Sequence, residues 1–485
     1  MGGNSQEIIG GFAALLLIMG IIILVPSLPA LIYAEYEILP VFVVPAMIAI
    51  ASGTYLSTKH PLAEELSIRA TIIIASAGWI FVSAIGAIPY MGIGMGWLDA
   101  FFESISGFTT TGMTLIPILE ECPRAILFWR SLTQWVGGVG IILLFTTMLK
   151  GSMSTWRLYA LEGGREKFTP SVKESVKNIL IIYTFLTAVC AIVLYACGMG
   201  AFDAINHAMT ALSTGGFSTR TSSIAEFNPT IKITLGIFMI LGATSFVLLY
   251  NLIKLDAKKI VGDPEFKTMI FILVLGGAAV STLLLSVGGG FFNGIIDGFF
   301  NVISILTTTG YTSANINLWP GTAKAIMLIL MIIGGSAGST AGGIKVWRFV
   351  VLFKILKREV EKITFPPSAV IPVKIGEKVL DDEYIMKIEA FIFSYTLLVL
   401  LSFLALSFTV PDLFGTLSLV ISAVSNVGPA FYPVFELDAF SKSILIIGMW
   451  AGRLELLPAI AFVAKELPST VKEFYLEKRR KRSGS

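Results

Sequence analysis

Ionisable side chains are scarce in this sequence: only 14% of its 485 residues are Asp, Glu, Lys or Arg, against about 25% in soluble domains. Hydrophobic residues make up 55% and the mean hydropathy is +0.83, so a soluble globular chain is excluded and a polytopic membrane protein is left. Histidine is limited to His60 and His207, which excludes an all-histidine metal site. The three cysteines, Cys122, Cys190 and Cys197, form no C-x-x-C pattern and imply no disulfide framework. There is no His-Glu-x-x-His, Walker A or Rossmann fingerprint, so the chain is expected to hydrolyse no ATP and to hold no organic cofactor. No nucleic-acid partner is expected. Gly334-Gly335-Ser336-Ala337-Gly338 matches G-x-S-x-G in letters. That chemistry needs a strand–turn–helix setting and a histidine base, and neither is expected inside a membrane span. The chain is expected not to be an enzyme.

What the sequence does contain is a fourfold repeat. Thr109-Thr110-Thr111-Gly112, Ser213-Thr214-Gly215-Gly216, Thr307-Thr308-Thr309-Gly310 and Ser425-Asn426-Val427-Gly428 each end in glycine between two long apolar runs. Thirteen residues before the first three glycines stand Asp99, Asp203 and Asp297, and Gly415 holds that place in the fourth. A stretch of about 10 to 14 apolar residues is too short to cross a bilayer, whereas about 20 suffice. Half-helices are therefore predicted near Leu98–Phe108, Phe202–Leu212, Phe292–Leu306 and Leu413–Val424. Full outer helices are predicted near Thr71–Tyr90, Val176–Cys197, Thr268–Val287 and Tyr384–Val410. Second helices are predicted near Ala125–Lys150, Pro229–Leu252, Ala323–Val350 and Phe440–Lys465. The three aspartates read as N-caps of their half-helices. Ile8–Ala34, bent at Pro26 and Pro29, and Ile38–Leu56 form a leading hairpin. Met1–Glu7 has no basic n-region and the following run is too long for a cleaved signal, so that helix is expected to be retained.

The expected fold is thus an all-α polytopic membrane protein: a helix hairpin, then four repeats of helix, pore helix, filter loop and helix around one pore. The divisions are 1–66 for the hairpin, 67–150, 151–253 and 254–360 for repeats one to three, and 361–485 for repeat four with a basic tail. Of the 35 Lys and Arg, 28 fall in the segments 57–70, 150–177, 253–267 and 345–387 and in the tail from Lys465. The positive-inside rule places that side, and both termini, in the cytoplasm. All four Thr/Gly loops then open outward.

A dehydrated alkali cation needs a ring of oxygens, which backbone carbonyls supply when a loop turns them inward. Glycine permits the required dihedrals. The half-helices aim the negative ends of their dipoles at the ion path. On these grounds Thr110, Thr111, Gly112, Thr214, Gly215, Gly216, Thr308, Thr309, Gly310, Asn426, Val427 and Gly428 are the candidate filter. An alkali cation, potassium by the resemblance described next, is expected at the backbone carbonyls of Thr111, Gly215, Thr309 and Val427. Gly107-Phe108-Thr109-Thr110-Thr111-Gly112, Trp129-Arg130-Ser131-Leu132-Thr133-Gln134-Trp135-Val136-Gly137-Gly138 and the stretch Gly334–Gly343 resemble the Trk/Ktr/HKT superfamily of potassium transporters, over nearly the whole chain. The leading hairpin makes it similar to the bacterial or archaeal Trk type of the prokaryotic plasma membrane. The resemblance implies one filter glycine per unit, a homodimeric membrane subunit, and a separate cytoplasmic ring that binds ATP, ADP or NAD. Asn426-Val427-Gly428-Pro429 departs from the Thr-rich pattern, which leaves a less selective K/Na transporter open. An ion-coupled potassium symporter is a second alternative, with Glu455 and then Glu103 as the carboxylates for coupling.

Residues 334–343 interrupt unit three's second helix with five glycines, and such backbone at membrane depth must be shielded or face water. Gly334, Gly335, Gly338, Gly342 and Gly343 read as an intramembrane gating loop, the alternative being close helix packing through small residues. Arg453, inside a span, reads as a gate residue that contacts loop carbonyls or repels cations; the alternative is a structural pair with Glu455 or another carboxylate. Lys345 reads as a snorkelling interfacial lysine. For Glu103, His207 and Asn301, nine residues before their glycines, the resemblance implies that they brace the filter from behind; the alternative is polar groups satisfied in local hydrogen bonds. The tail Glu477–Arg482 reads as a membrane-lipid anchor.

Overall fold

The computed structural model describes residues 3–63, 66–148, 172–254, 256–288, 290–366, 371–375 and 378–466. The basic segment 150–171 and the expected lipid anchor at 477–482 lie outside the described residues. Helices dominate; the described strands, Lys374–Ile375 and Lys378–Val379, pair antiparallel with Lys374 opposite Val379.

The leading hairpin consists of Gly3–Leu24, a turn, Ser27–Ile32, and then Leu39–Lys59. The break falls at Pro26, as the missing N–H and fixed φ of proline require. Within the hairpin the backbones touch: a methyl on Gly53 would come 2.7 Å from the Leu17 nitrogen, and one on Gly20 2.9 Å from the Ala46 oxygen. Small residues at such contacts drive helix association in lipid, where burying a leucine gains little.

The four half-helices are Trp97–Phe108, Ala201–Leu212, Phe291–Leu306 and Leu413–Val424, within a residue or so of expectation. Their outer helices are Ile68–Gly86 with Ile88–Gly92, Val172–Ala196, Pro264–Ser286 and Asp382–Leu406. Each half-helix packs against the second helix of the preceding unit, and unit one's packs against unit four's, so the four units close into a ring. Six helices among the described residues are long and apolar enough to cross a membrane, and eight if each bent pair is one span. Exposed Phe185, Ile192, Phe271, Leu275 and Phe393 on the outer helices suit a lipid surround. The chain is a multi-pass membrane protein.

The second helices differ from expectation. Arg124–Met148 is continuous, but the expected spans Pro229–Leu252 and Phe440–Lys465 are both broken. Pro229–Gly242 meets Phe246–Ile253 at 110°, and Ala439–Arg453 meets the helix beginning at Leu457 at 113°. At the first break the Gly242 and Ala243 carbonyls accept from the Thr340 hydroxyl (2.9 Å) and the Ser336 amide (3.0 Å). The Phe246 amide donates to Gly338 (3.1 Å). The glycine-rich segment thus supplies the partners that an unbroken helix would supply itself, and a buried break without them would be costly. At the second break Glu455 and Leu456 both take φ of +58°.

Candidate functional site

The four Thr/Gly loops share one backbone. The residue two before each glycine has positive φ: Thr110 at +53°, Thr214 at +51°, Thr308 at +56° and Asn426 at +54°. Each glycine does too, at +85°, +76°, +84° and +108°. A β-branched residue in this region is strained, whereas asparagine tolerates it. Asn426, which departs from the repeat as a letter, is therefore the residue best suited to that conformation.

Loop amides are tied back into the half-helices. Thr111, Gly215, Thr309 and Val427 each donate at 2.9 Å to the carbonyl of the residue six before the glycine: Ser106, Thr210, Ser304 and Ser422. With their amides bonded behind, the loop carbonyls are free to point inward. A methyl on Gly112 would lie 2.2 Å from the Gly215 oxygen, on Gly216 1.8 Å from Thr309, on Gly310 1.9 Å from Val427, and on Gly428 2.5 Å from Thr111. Each glycine thus abuts the expected ligand carbonyl of the next unit, one to two, two to three, three to four and four to one. No side chain larger than hydrogen fits at these four places.

Buried polar side chains hold the loops from outside that ring. Glu103, fully buried, accepts from Thr114 (2.9 Å), the Leu115 amide (2.9 Å) and Arg130 (2.9 Å). Arg130 also donates to the Ser218 carbonyl (2.8 Å) in unit two. His207 pairs with Ser218 (3.0 Å) and Asn301 donates to Ser313 (2.8 Å). In unit four, where the equivalent residue is Leu419, Ser418 accepts from the Phe431 amide (2.8 Å) instead. All three expected braces thus reach the segment just after their own glycine.

The aspartates are not N-caps, contrary to expectation. The capping residues are Gly96, Gly200 and Gly290. Asp99 and Asp203 lie within the first turn, where a negative charge still favours the helix dipole. Asp297 lies further in, because that helix begins earlier. Each instead binds a cation on the same membrane face: Asp99 with Lys442 (2.7 Å), Asp203 with Arg220 (3.1 Å) and Asp297 with Lys232 (3.1 Å).

The glycine-rich segment connects Gly321–Ile333 to Val346–Thr364 and nests against three of the Thr/Gly loops. The Gly342 amide donates to the Thr308 hydroxyl (2.7 Å), Thr340 meets the Thr214 hydroxyl (3.1 Å), and a methyl on Gly342 would lie 2.1 Å from the Ser425 oxygen. Arg453 donates to the Thr340 carbonyl (2.9 Å) in this segment and to Gly137 (2.8 Å) in unit one. It does not pair with Glu455, which binds Arg348 and Lys345. Lys345 is not snorkelling: it is buried, with its ammonium on the Ala341 carbonyl. The chain folds back at φ +82° there and carries the lysine inward.

Three contributors were missed at the level of sequence. Thr340 sits at the centre of the nested segment. Buried Glu265 accepts from the Ala337 (2.7 Å) and Trp347 (3.1 Å) amides, joining the segment's two ends. Gln134 lies behind the unit-two loop. Gln134 and Thr340 lie in stretches that carry the family resemblance, whereas only its polarity beside an apolar run pointed to Glu265.

Four re-entrant half-helices, each with a loop returning to the same depth around one axis, define a membrane cation-transport architecture. Residues 39–474 match the TrkH family, described as cation transport protein. The chain is 34% identical to the Trk system potassium uptake protein TrkH of Escherichia coli (strain K12), covering 92% of this chain and 96% of that protein. It is 35% identical to an uncharacterized cation transporter of Methanocaldococcus jannaschii, covering 94% of each. It superposes on the crystal structure of the potassium transporter TrkH from Vibrio parahaemolyticus with a TM-score of 0.87 at 30% identity, covering 95% of this chain and 98% of that one. The chain belongs to the TrkH family. It is a transporter and not an enzyme.

Proposed function

We propose that this chain takes up potassium across the prokaryotic plasma membrane through a filter made by its four Thr/Gly loops. The cyclic packing of Gly112, Gly216, Gly310 and Gly428 on the Gly215, Thr309, Val427 and Thr111 carbonyls carries this reading. A bare potassium ion exchanges its hydration oxygens for these four carbonyls and their neighbours. The potassium uptake named for the Escherichia coli relative supports the same substrate. The twelve residues from Thr110 to Gly112, Thr214 to Gly216, Thr308 to Gly310 and Asn426 to Gly428 form the site.

Residues 334–343 act as the gate: nested under Thr214, Thr308 and Ser425, they block the path inward from the filter. Arg453 clips this loop shut by holding Thr340 to unit one. Glu103 and Glu455, the carboxylates for a coupled mechanism, are each bound by arginine, which favours a gated, channel-like route over symport. Opening is assigned to a separate cytoplasmic nucleotide-binding subunit. A homodimer is supported by the exposed Phe353, Leu356, Val360 and Ile363, a stripe on one face of Val346–Thr364. The divisions at 66, 150, 253 and 360, with both termini cytoplasmic, complete the reading.

The test is rubidium uptake with the full chain, native and Gly310→Ser, against sodium as competitor. Selectivity that weakens in the assembled variant supports the filter; unchanged selectivity rejects it.

A further inference from the structure

Gln134 is fully buried on the second helix of unit one, yet its carboxamide serves unit two. Its Nε2 donates to the Gly215 carbonyl at 2.6 Å, and its Oε1 accepts from the Phe217 amide at 2.9 Å. The side chain therefore bridges the two residues on either side of Gly216. The fit is close: a methyl on Gly215 would lie 2.4 Å from the Gln134 amide carbon.

Among the described residues, no side chain bridges the other three loops in this way. Gly137, Gly242 and Gly452 hold the same place on their second helices, each abutting the carbonyl of its own half-helix's last residue, Phe108, Leu212 and Val424. Three residues before them stand Gln134, Met239 and Met449, all buried. A methionine thioether cannot donate a hydrogen bond, whereas a carboxamide donates and accepts at once. Among the described residues, one carbonyl of the four thus has a side-chain donor bound to it, and a carbonyl oxygen has two lone pairs to share.

We infer that Gln134 is a specificity-determining positioning residue: its amide aims the Gly215 carbonyl and sets the size and field of the ion ring, so that potassium is preferred over sodium. This rests on the filter reading above. Without the amide, the Gly215 carbonyl is free to swing toward a smaller ion. A flexible ring discriminates by the number and field of its oxygens, so sodium gains relative to potassium. Loss of one hydrogen bond changes the ratio by about fivefold.

The test avoids the gate by reading ion binding at equilibrium. Thermal stabilisation of the purified full chain is measured against potassium chloride and sodium chloride, at ionic strength held constant with N-methylglucamine chloride. The native chain, Gln134→Met, Gln134→Glu and Gly310→Ser are compared by the ratio of half-saturating sodium to potassium. A ratio that falls about fivefold in Gln134→Met, or in isosteric Gln134→Glu if the first variant does not assemble, is expected. An unchanged ratio in the Gln134 variants with a lowered one in Gly310→Ser overturns the role of Gln134 and leaves the filter standing. A ratio unmoved in all three rejects the filter reading, and this inference with it. Failure of both Gln134 variants to assemble overturns the inference in favour of a purely structural role.

Discussion

At the scale of single residues, the proposed filter rests on unusual backbone held by buried polar partners. Thr110, Thr214 and Thr308 occupy a region that costs about 1–3 kcal/mol for such residues, so their surroundings must over-determine them. The Glu103–Arg130 pair is one such support, with both side chains essentially inaccessible. Glu103→Ala leaves the Arg130 charge buried and is expected to cost about 3–5 kcal/mol, read as a fall in the thermal midpoint of the purified protein; a midpoint within error of native contradicts it. Arg453 acts on a different equilibrium. Its contacts tie Thr340 to Gly137, so under the proposed gating Arg453→Ala is expected to raise partner-independent rubidium uptake about tenfold, the worth of a charged hydrogen bond of about 1.5 kcal/mol. An unaltered rate would show that the clip does not hold the gate. The candidate ligand residues were legible in the sequence because four glycines share one register. The left-handed threonines were not, since nothing in a Thr-Thr-Thr run signals φ above zero.

At the scale of elements, the proposed gate docks on the broken second helix of unit two. Length and hydropathy predicted continuous spans for units two and four, and a span can be continuous by those criteria while its hydrogen bonds go elsewhere. The break at Ala243–Ser245 exists because Ser336, Gly338 and Thr340 of unit three supply its partners, a contact between segments some 90 positions apart in the chain. Gly342 is the tightest point of this docking. Gly342→Ala places a methyl 2.1 Å from the Ser425 oxygen, so the loop cannot seat as it does here. Higher basal flux is expected from Gly342→Ala, and from deletion of several residues within 334–343, with selectivity unchanged. Flux that stays fully partner-dependent in both would remove the gate from this loop. The half-helices, by contrast, were legible almost to the residue, because their 12 to 16 residues end in the same glycine-bearing loop.

For the whole molecule, the charge asymmetry and the fourfold ring agree on one orientation. Asp99, Asp203 and Asp297 hold three of the few cations on the side of the proposed filter, and the basic helix Val346–Thr364 follows the proposed gate. Single cysteines in a background without Cys122, Cys190 and Cys197 report this directly. Glu226→Cys, exposed on the filter side, is expected to react with an impermeant maleimide in intact cells. Lys357→Cys, exposed on the other side, is expected to react only after permeabilisation. The reverse pattern would invert the topology and with it the direction of the filter.

The sequence by itself determined membrane residence, the repeat, the half-helices and the positions of the loops, because each follows from local hydropathy and spacing along one chain. Tertiary structure alone decided the order in which glycines meet neighbouring carbonyls, the breaks in the second helices, and the partners of Arg453, Lys345 and Gln134. Those are contacts between units, where a hydrogen bond or a hydrogen-sized gap depends on atoms brought together only when the ring closes. Asp99 and Asp297 show the same limit: each lies on its own half-helix, but the lysine it binds, Lys442 or Lys232, comes from a neighbouring unit.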